Sequence, residues 1–179
     1  MAQSTLKYPV LFTFWGIPVT LGRQAWQFVV SKLVFGAILA VLFHLGKGLG
    51  ELIVITLGYT LIIHSFPILH TVGHVISSKR VQPPMTELRV IPLAIQTRYS
   101  ADPDQLAPTV HLNRALGGPI MNLVLGALGL IWWASSGSHY AVLFTVGNLF
   151  FAFGALLPIP HIDGEVIWRE VRRARAARR

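Results

Sequence analysis

The sequence contains no cysteine, which excludes disulfide bonds and thiolate metal sites. Charged residues are scarce as well, at 12% of the 179 residues, against about 25% in a typical soluble domain. Acidic residues are the rarest, with 7 Asp and Glu beside 15 Lys and Arg, so the net charge is +8. With 53% hydrophobic residues and a mean hydropathy of +0.59, this composition indicates a membrane protein.

The apolar residues fall into four runs of about the length that crosses a bilayer, which is roughly 20 residues. We predict transmembrane helices over residues 29–45, 51–77, 115–134 and 140–160. The polar loop 81–114 contains a partly alternating stretch, and residues 8–20 are rich in aromatic and β-branched residues, so both regions predict short strands. The predicted fold class is an α-helical membrane protein with about four transmembrane helices and short membrane-associated strands, forming one membrane-embedded domain over residues 1–179.

The cations are distributed unevenly. Lys79, Arg80, the 81–114 loop and the basic tail 165–179 carry nearly all of them, whereas the turns at 46–51 and 135–139 carry only Lys47. The positive-inside rule then predicts a multi-pass integral membrane protein with both termini in the cytoplasm. Because the chain is so apolar, the arginine-rich tail favours anionic membrane lipid as its partner, and we expect no nucleic acid partner.

The most informative motif is His70-Thr71-Val72-Gly73-His74, near the end of the second run. Residues four apart in a helix lie about 40° apart around its axis, so both imidazoles project from one face. This spacing lets two histidines bind one zinc ion. In the metalloprotease motif H-E-x-x-H, a glutamate after the first histidine is the general base. Here Thr71 stands in that place, and its hydroxyl cannot take a proton from water near neutral pH.

A third ligand and further polar groups follow from the topology. Asp163 lies at the cytoplasmic end of the fourth run, at a depth similar to that of His70 and His74, and two histidines with one carboxylate form a zinc set with an open fourth position. Packing or hydrogen bonding of the histidines and a helix cap at Asp163 are the alternatives. Asn122 either bonds a neighbouring helix or lines a cleft. Glu165 is the one nearby carboxylate that could replace the missing base.

Three segments, taken in order, resemble the site-2 protease family of intramembrane zinc metalloproteases. Residues 70–74 are similar to H-E-x-x-H, and residues 117–122 (GGPIMN) resemble the family's A-G-P-x-x-N. Residues 148–164 (NLFFAFGALLPIPHIDG) resemble N-x-x-x-x-x-x-N-L-x-P-x-x-x-L-D-G, with Ala155 in place of the second Asn and Ile162 in place of Leu. The resemblance covers nearly the whole chain.

The resemblance implies zinc on His70, His74 and Asp163, and it implies that Asn122 lines the cleft near the scissile peptide. It also implies substrates that are transmembrane segments of membrane-anchored regulators. Because Thr71 stands at the position of the general base, two functions are expected. The chain is either an intramembrane protease or a non-catalytic relative that binds single-span proteins without cutting them.

Two other classes of protein fit the same composition. A membrane haem protein would use imidazole as an axial ligand, and the candidates are His44, His64, His70 and His74. A metal carrier or small metal transporter would use the same metal ligands, although the four runs show no internal repeat of the kind that is common in transporters.

Overall fold

The structure, a computed structural model, describes residues 7–100 and 106–176. In chain order its elements are β1 Val10–Phe14, β2 Ile17–Leu21, α1 Trp26–Phe43, α2 Leu49–Ser78, β3 Met85–Val90, β4 Ile95–Tyr99, α3 Pro108–Ser136, α4 His139–Ala155 and α5 Asp163–Ala176. The protein is therefore mostly helical with a small sheet. This confirms the predicted fold class of a helical membrane protein with short strands.

Three helices of the described chain, α1, α2 and α3, are long and apolar enough to cross a membrane. The helix α4 is also apolar, but at 17 residues it is shorter than the predicted run 140–160. It ends at Ala155, ahead of Pro158 and Pro160, which lack the N–H group that a continuing helix requires. Large apolar side chains on these helices face outward, as lipid contact requires. The chain is an integral membrane protein.

The helix α3 begins earlier than the apolar pattern indicated. Its first residue is Pro108, which suits the first helical position because its φ is already helical and its missing N–H would have no partner there. Gly137 ends the helix in the left-handed conformation, with φ of 61°. The first turns of α3 thus extend into the polar loop and carry Arg114 to the side of α2.

The four strands form one sheet in the order β1-β2-β3-β4. The pairs β1–β2 and β3–β4 are antiparallel hairpins, and β2 and β3 are parallel, with Val19 opposite Leu88. The buried face of the sheet packs on Val75 of α2. This contact places the sheet beside the last turns of α2, and β4 forms a free edge of the sheet.

The helix α2 contacts α1, α3 and α4 and is the centre of the helical part. Glycines bring it unusually close to α3. A Cβ atom on Gly73 would lie 2.7 Å from the Cβ of Met121, and one on Gly117 would lie 2.8 Å from the Cβ of Ser77. Only glycine allows this approach, and it brings His70 and His74 against the α3 backbone.

Candidate metal centre

The structure brings together His70 and His74 of α2 and Asp163 at the start of α5. The two Nε2 atoms lie 3.1 Å apart, and Asp163 Oδ2 lies 2.9 Å from His70 Nε2 and 3.3 Å from His74 Nε2. Ligand atoms at zinc bond lengths in a tetrahedral site are about 3.3 Å from one another. Within residues 7–100 and 106–176, these three residues are the one group of three or more His, Asp or Glu side chains whose donor atoms all lie within 4.8 Å of one another.

The other nitrogen of each imidazole has an oxygen partner. His74 Nδ1 donates to the carbonyl oxygen of Arg114 at 2.7 Å, and His70 Nδ1 donates to Asn122 Oδ1 at 2.6 Å. Each Nδ1 therefore carries a proton, and each Nε2 faces the shared point, where it hydrogen-bonds Asp163 in this structure and, once deprotonated, presents a lone pair to a metal ion. Histidines that bind metals are commonly oriented in this way.

A chain of hydrogen bonds continues behind His70. Asn122 Nδ2 donates to Asn148 Oδ1 at 2.7 Å, and Asn148 Nδ2 donates to the Phe144 carbonyl of α4 at 2.8 Å. Both asparagines are fully buried. The sequence left two alternatives for Asn122, and the structure shows the hydrogen bond to a neighbouring helix. Its contact with the ligand group is the bond that it accepts from His70. Asn148 is the first residue of the segment 148–164 that carries the family resemblance, and the structure shows it in a structural hydrogen bond.

We expect Asn148→Leu to weaken metal binding about 10- to 100-fold, the usual effect of removing a partner behind a ligand. Leucine cannot accept from the Asn122 amide, so Asn122 is free to rotate and His70 loses its fixed orientation. Competition with a chromophoric chelator on detergent-purified protein measures the affinity. Thr145→Val is the matched control, because Thr145 is also a buried polar residue of α4 and bonds within its own helix. Equal affinities in the two variants would contradict this role for Asn148.

The backbone of α3 forms one wall of the site. A Cβ atom on Gly118 would lie 2.5 Å from His74 Nε2, well inside van der Waals contact. Glycine at this position keeps the space beside both imidazoles open. The donor set, the orientation of the rings and this open space all fit a bound metal ion.

Asp163 lies outside the spanning helices and is mostly buried. Burial alone would raise the pKa of its carboxyl group, but the hydrogen bonds and charge of His70 and His74 outweigh burial and lower the pKa to about 2. The group is therefore a carboxylate at neutral pH, the form that binds metal ions. A Cβ on Gly164 would lie 2.5 Å from the carbonyl carbon of Leu157, so this glycine lets the chain fold back and turn Asp163 toward α2.

Thr71 is buried, and its hydroxyl donates to the carbonyl oxygen of Pro67 at 2.7 Å, one turn earlier in α2. The proton of this hydroxyl is therefore held within the helix. Glu165 accepts a hydrogen bond from the backbone N–H of His161 at 2.8 Å. His64 bonds the carbonyl oxygen of Thr60 and has no part in the ligand group.

An elongated cleft of about 780 Å³ borders the ligand group. All three ligand residues line it, together with Thr71 and Glu165. Its other lining residues come mainly from β4 with the turn before it and from α4, and they include Leu93, Ile95, Gln96, Thr97, Phe150 and Phe151. An edge strand of the sheet and the candidate metal ligands therefore line the same cleft.

Comparison with known proteins supports the fold. The sequence matches no protein-family model and no curated protein. The structure is similar to that of the Site-2 Protease from Methanocaldococcus jannaschii, with a TM-score of 0.62 over 92% of this chain and 71% of that chain. The two sequences are 16% identical over the aligned part. At this identity the likeness shows a shared fold, and the chemistry of the chain has to be argued from its own residues.

Proposed function

We propose that this chain binds one zinc ion through His70, His74 and Asp163 and accepts an extended segment of a single-span membrane protein in the adjoining cleft, without cutting it. The convergence of the three ligand atoms to within 3.3 Å carries the proposal. Two imidazoles and a carboxylate are a common zinc set with an open position. A zinc ion there would supply Lewis acidity toward a carbonyl group in the cleft.

The cleft beside the ligands has room for a peptide, but the position next to His70 provides no side chain that can accept a proton. Thr71 occupies that place, and its hydroxyl donates to Pro67. Hydrolysis of an amide requires a base that takes a proton from water in the transition state. We infer that the chain is a non-catalytic relative of the proteases whose fold it shares.

The sheet edge indicates how the partner binds. β4 is an edge strand, so its outer N–H and C=O groups are free to pair with an added strand. Residues 95–97 of this strand line the same cleft as the metal ligands. An extended segment paired with β4 would therefore run past His70 and Asp163. Apolar groups such as Leu93 and Phe150 suit the apolar sequence of a membrane span.

The charge distribution orients the molecule in the bilayer. We propose that α4 is a fourth pass and that both termini lie in the cytoplasm, because the cations cluster beside the sheet and in α5. The cleft then opens near the cytoplasmic surface. The arginines of α5 face anionic lipid there, and the part of the basic tail at 177–179 lies outside the described residues.

Site-specific photo-crosslinking tests the partner site. A photoreactive residue at Gln96, which is exposed in the cleft, should cross-link to a model single-span protein whose membrane segment contains a helix-breaking Gly-Pro pair. The same residue at Trp133, on the outer surface of α3, is the control. A yield at Gln96 at least about tenfold above that at Trp133 is expected for a bound segment. Equal yields at the two positions would contradict binding in the cleft.

A further inference from the structure

A second pair of imidazoles lies at the other end of α2. His44 follows α1 and His139 opens α4, and their ring centroids are 4.6 Å apart with an angle of 62° between the ring planes. In the candidate metal centre, the rings of His70 and His74 are 4.7 Å apart at 78°. The two pairs thus have nearly the same spacing and a similar inclination, although the first comes from one helix and the second from two separate elements.

This second pair faces a cavity of about 570 Å³ that is open to solvent. The first turns of α2 form its floor, and the charged groups on its wall are Glu51 and Lys47. Lys47 Nζ and Glu51 Oε1 form an ion pair at 3.1 Å, and both side chains are more than half exposed. A carboxylate and water are therefore both within the cavity that the imidazoles face.

One ring of the pair is already oriented. His44 Nε2 is 2.8 Å from the hydroxyl of Tyr59, which is almost fully buried in the contact between α1, α2 and α4. This bond leaves Nδ1 of His44 as the free nitrogen. The ring of His139 stacks near Tyr140, with centroids 4.1 Å apart, and in the described chain its nitrogens have no hydrogen-bond partner. Two imidazoles with available nitrogens thus lie side by side at an exposed position.

The cavity is far from the first site. At the helical rise of about 1.5 Å per residue, the span of α2 between Glu51 and His70 covers roughly 28 Å. That is close to the thickness of a hydrocarbon core, about 30 Å. The two histidine pairs therefore lie at opposite surfaces of the membrane and are reached from different compartments.

We propose that His44 and His139 form a second metal site, which takes a borderline divalent ion such as Zn²⁺ or Cu²⁺ from the side of the membrane opposite the cleft. Imidazole suits these ions. Water from the open cavity would complete the coordination. An ion bound by both histidines links the turn between α1 and α2 to the first residue of α4. The helix α4 also carries Asn148 and Phe151, and Phe151 lines the cleft. The same helix therefore extends from the bound ion to the cleft.

Calorimetric titration of the His74→Ala protein with zinc tests the site at His44 and His139, because this variant disables the candidate metal centre. We expect one equivalent of Zn²⁺ to bind, and either His44→Ala or His139→Ala should lower that affinity at least about tenfold, since each removes one of two imidazole ligands. His64→Ala is the matched control, because His64 lies on α2 away from the cavity and bonds its own helix. Any weak binding that remains at His70 and Asp163 is the same in all these variants.

The binding of Zn²⁺ with equal affinity in the His44, His139 and His64 variants would overturn the proposal, as would the absence of binding in the His74→Ala background. A spectroscopic readout removes the dependence on folding of the double variants. Cu²⁺ added to the folded His74→Ala protein should give an electron paramagnetic resonance spectrum with coupling to two imidazole nitrogens at one equivalent. Coupling to fewer than two nitrogens would also refute the site. Neither result depends on whether the cleft binds a partner.

Discussion

Thr71→Glu should convert the chain into a peptidase, with cleavage of a single-span model protein rising about 10²- to 10⁴-fold, the contribution typical of a general base. Thr71 lines the cleft beside both histidines, and the cavity of about 780 Å³ leaves room for the longer side chain. A carboxylate there can take a proton from the attacking water, which the threonine hydroxyl cannot do. The assay is the appearance of the two cleavage products after incubation of purified protein and substrate in detergent.

Thr71→Gln is the control for this variant, since glutamine has nearly the same size but cannot accept the proton. If Thr71→Glu cuts no faster than Thr71→Gln, the cleft does not hold a peptide against the metal ligands. Cleavage by the unaltered chain would refute the non-catalytic function directly. If Glu165→Gln then abolished that cleavage, Glu165 would be the base, as its position in the same cleft allows.

The substitution removes one internal hydrogen bond. Thr71 Oγ1 donates to the Pro67 carbonyl, and such a bond contributes about 0.5–1.5 kcal/mol to the free energy of unfolding. Thr71→Gln loses the same bond, so the two variants are matched in that loss and in side-chain size. A difference in cleavage rate between them therefore reports the carboxylate and not a change in the fold of α2.

The sequence predicted the spans and the strands from local patterns. Hydropathy located the apolar helices, and alternation in residues 87–99 together with β-branched residues in 8–20 indicated the strands. It did not predict that both hairpins join one sheet. That junction is the parallel pair of Val19 and Leu88, and it joins two strands that are separated in the chain by α1 and α2. Pairing of this kind depends on tertiary packing, and no local pattern specifies it.

The candidate site could be predicted as far as its side chains carry a local signal. The i, i+4 spacing identified His70 and His74, and the predicted topology, which places Asp163 at a similar depth at the end of the fourth run, identified Asp163. The Arg114 carbonyl that orients His74 could not be predicted, because every residue has such a group and its position depends on the early start of α3. The bond between Asn148 and Asn122 could not be predicted for a related reason, since it depends on the close approach of α3 and α4.

His74→Ala should remove the zinc that the unaltered chain retains after dialysis, about one equivalent per chain. Zinc binding by sites in peptides is worth about 10–16 kcal/mol, so the loss of one of four ligands costs about 3 kcal/mol, or roughly a hundredfold in affinity. Elemental analysis of detergent-purified protein measures the metal content. His161→Ala should keep its zinc, because His161 lines the same cleft, two positions before Asp163, but lies outside the ligand group.

A thermal readout separates metal loss from misfolding in that variant. His74 also bonds the Arg114 carbonyl, so its removal lowers the Tm of the metal-free protein as well. Zinc at 1,000 times its Kd adds about 4.1 kcal/mol to the stability of a protein that binds it only when folded. Added zinc should therefore raise the Tm of the unaltered chain and of His161→Ala by several degrees, and raise that of His74→Ala much less. Equal zinc-induced shifts in all three proteins would place the ion elsewhere in the chain.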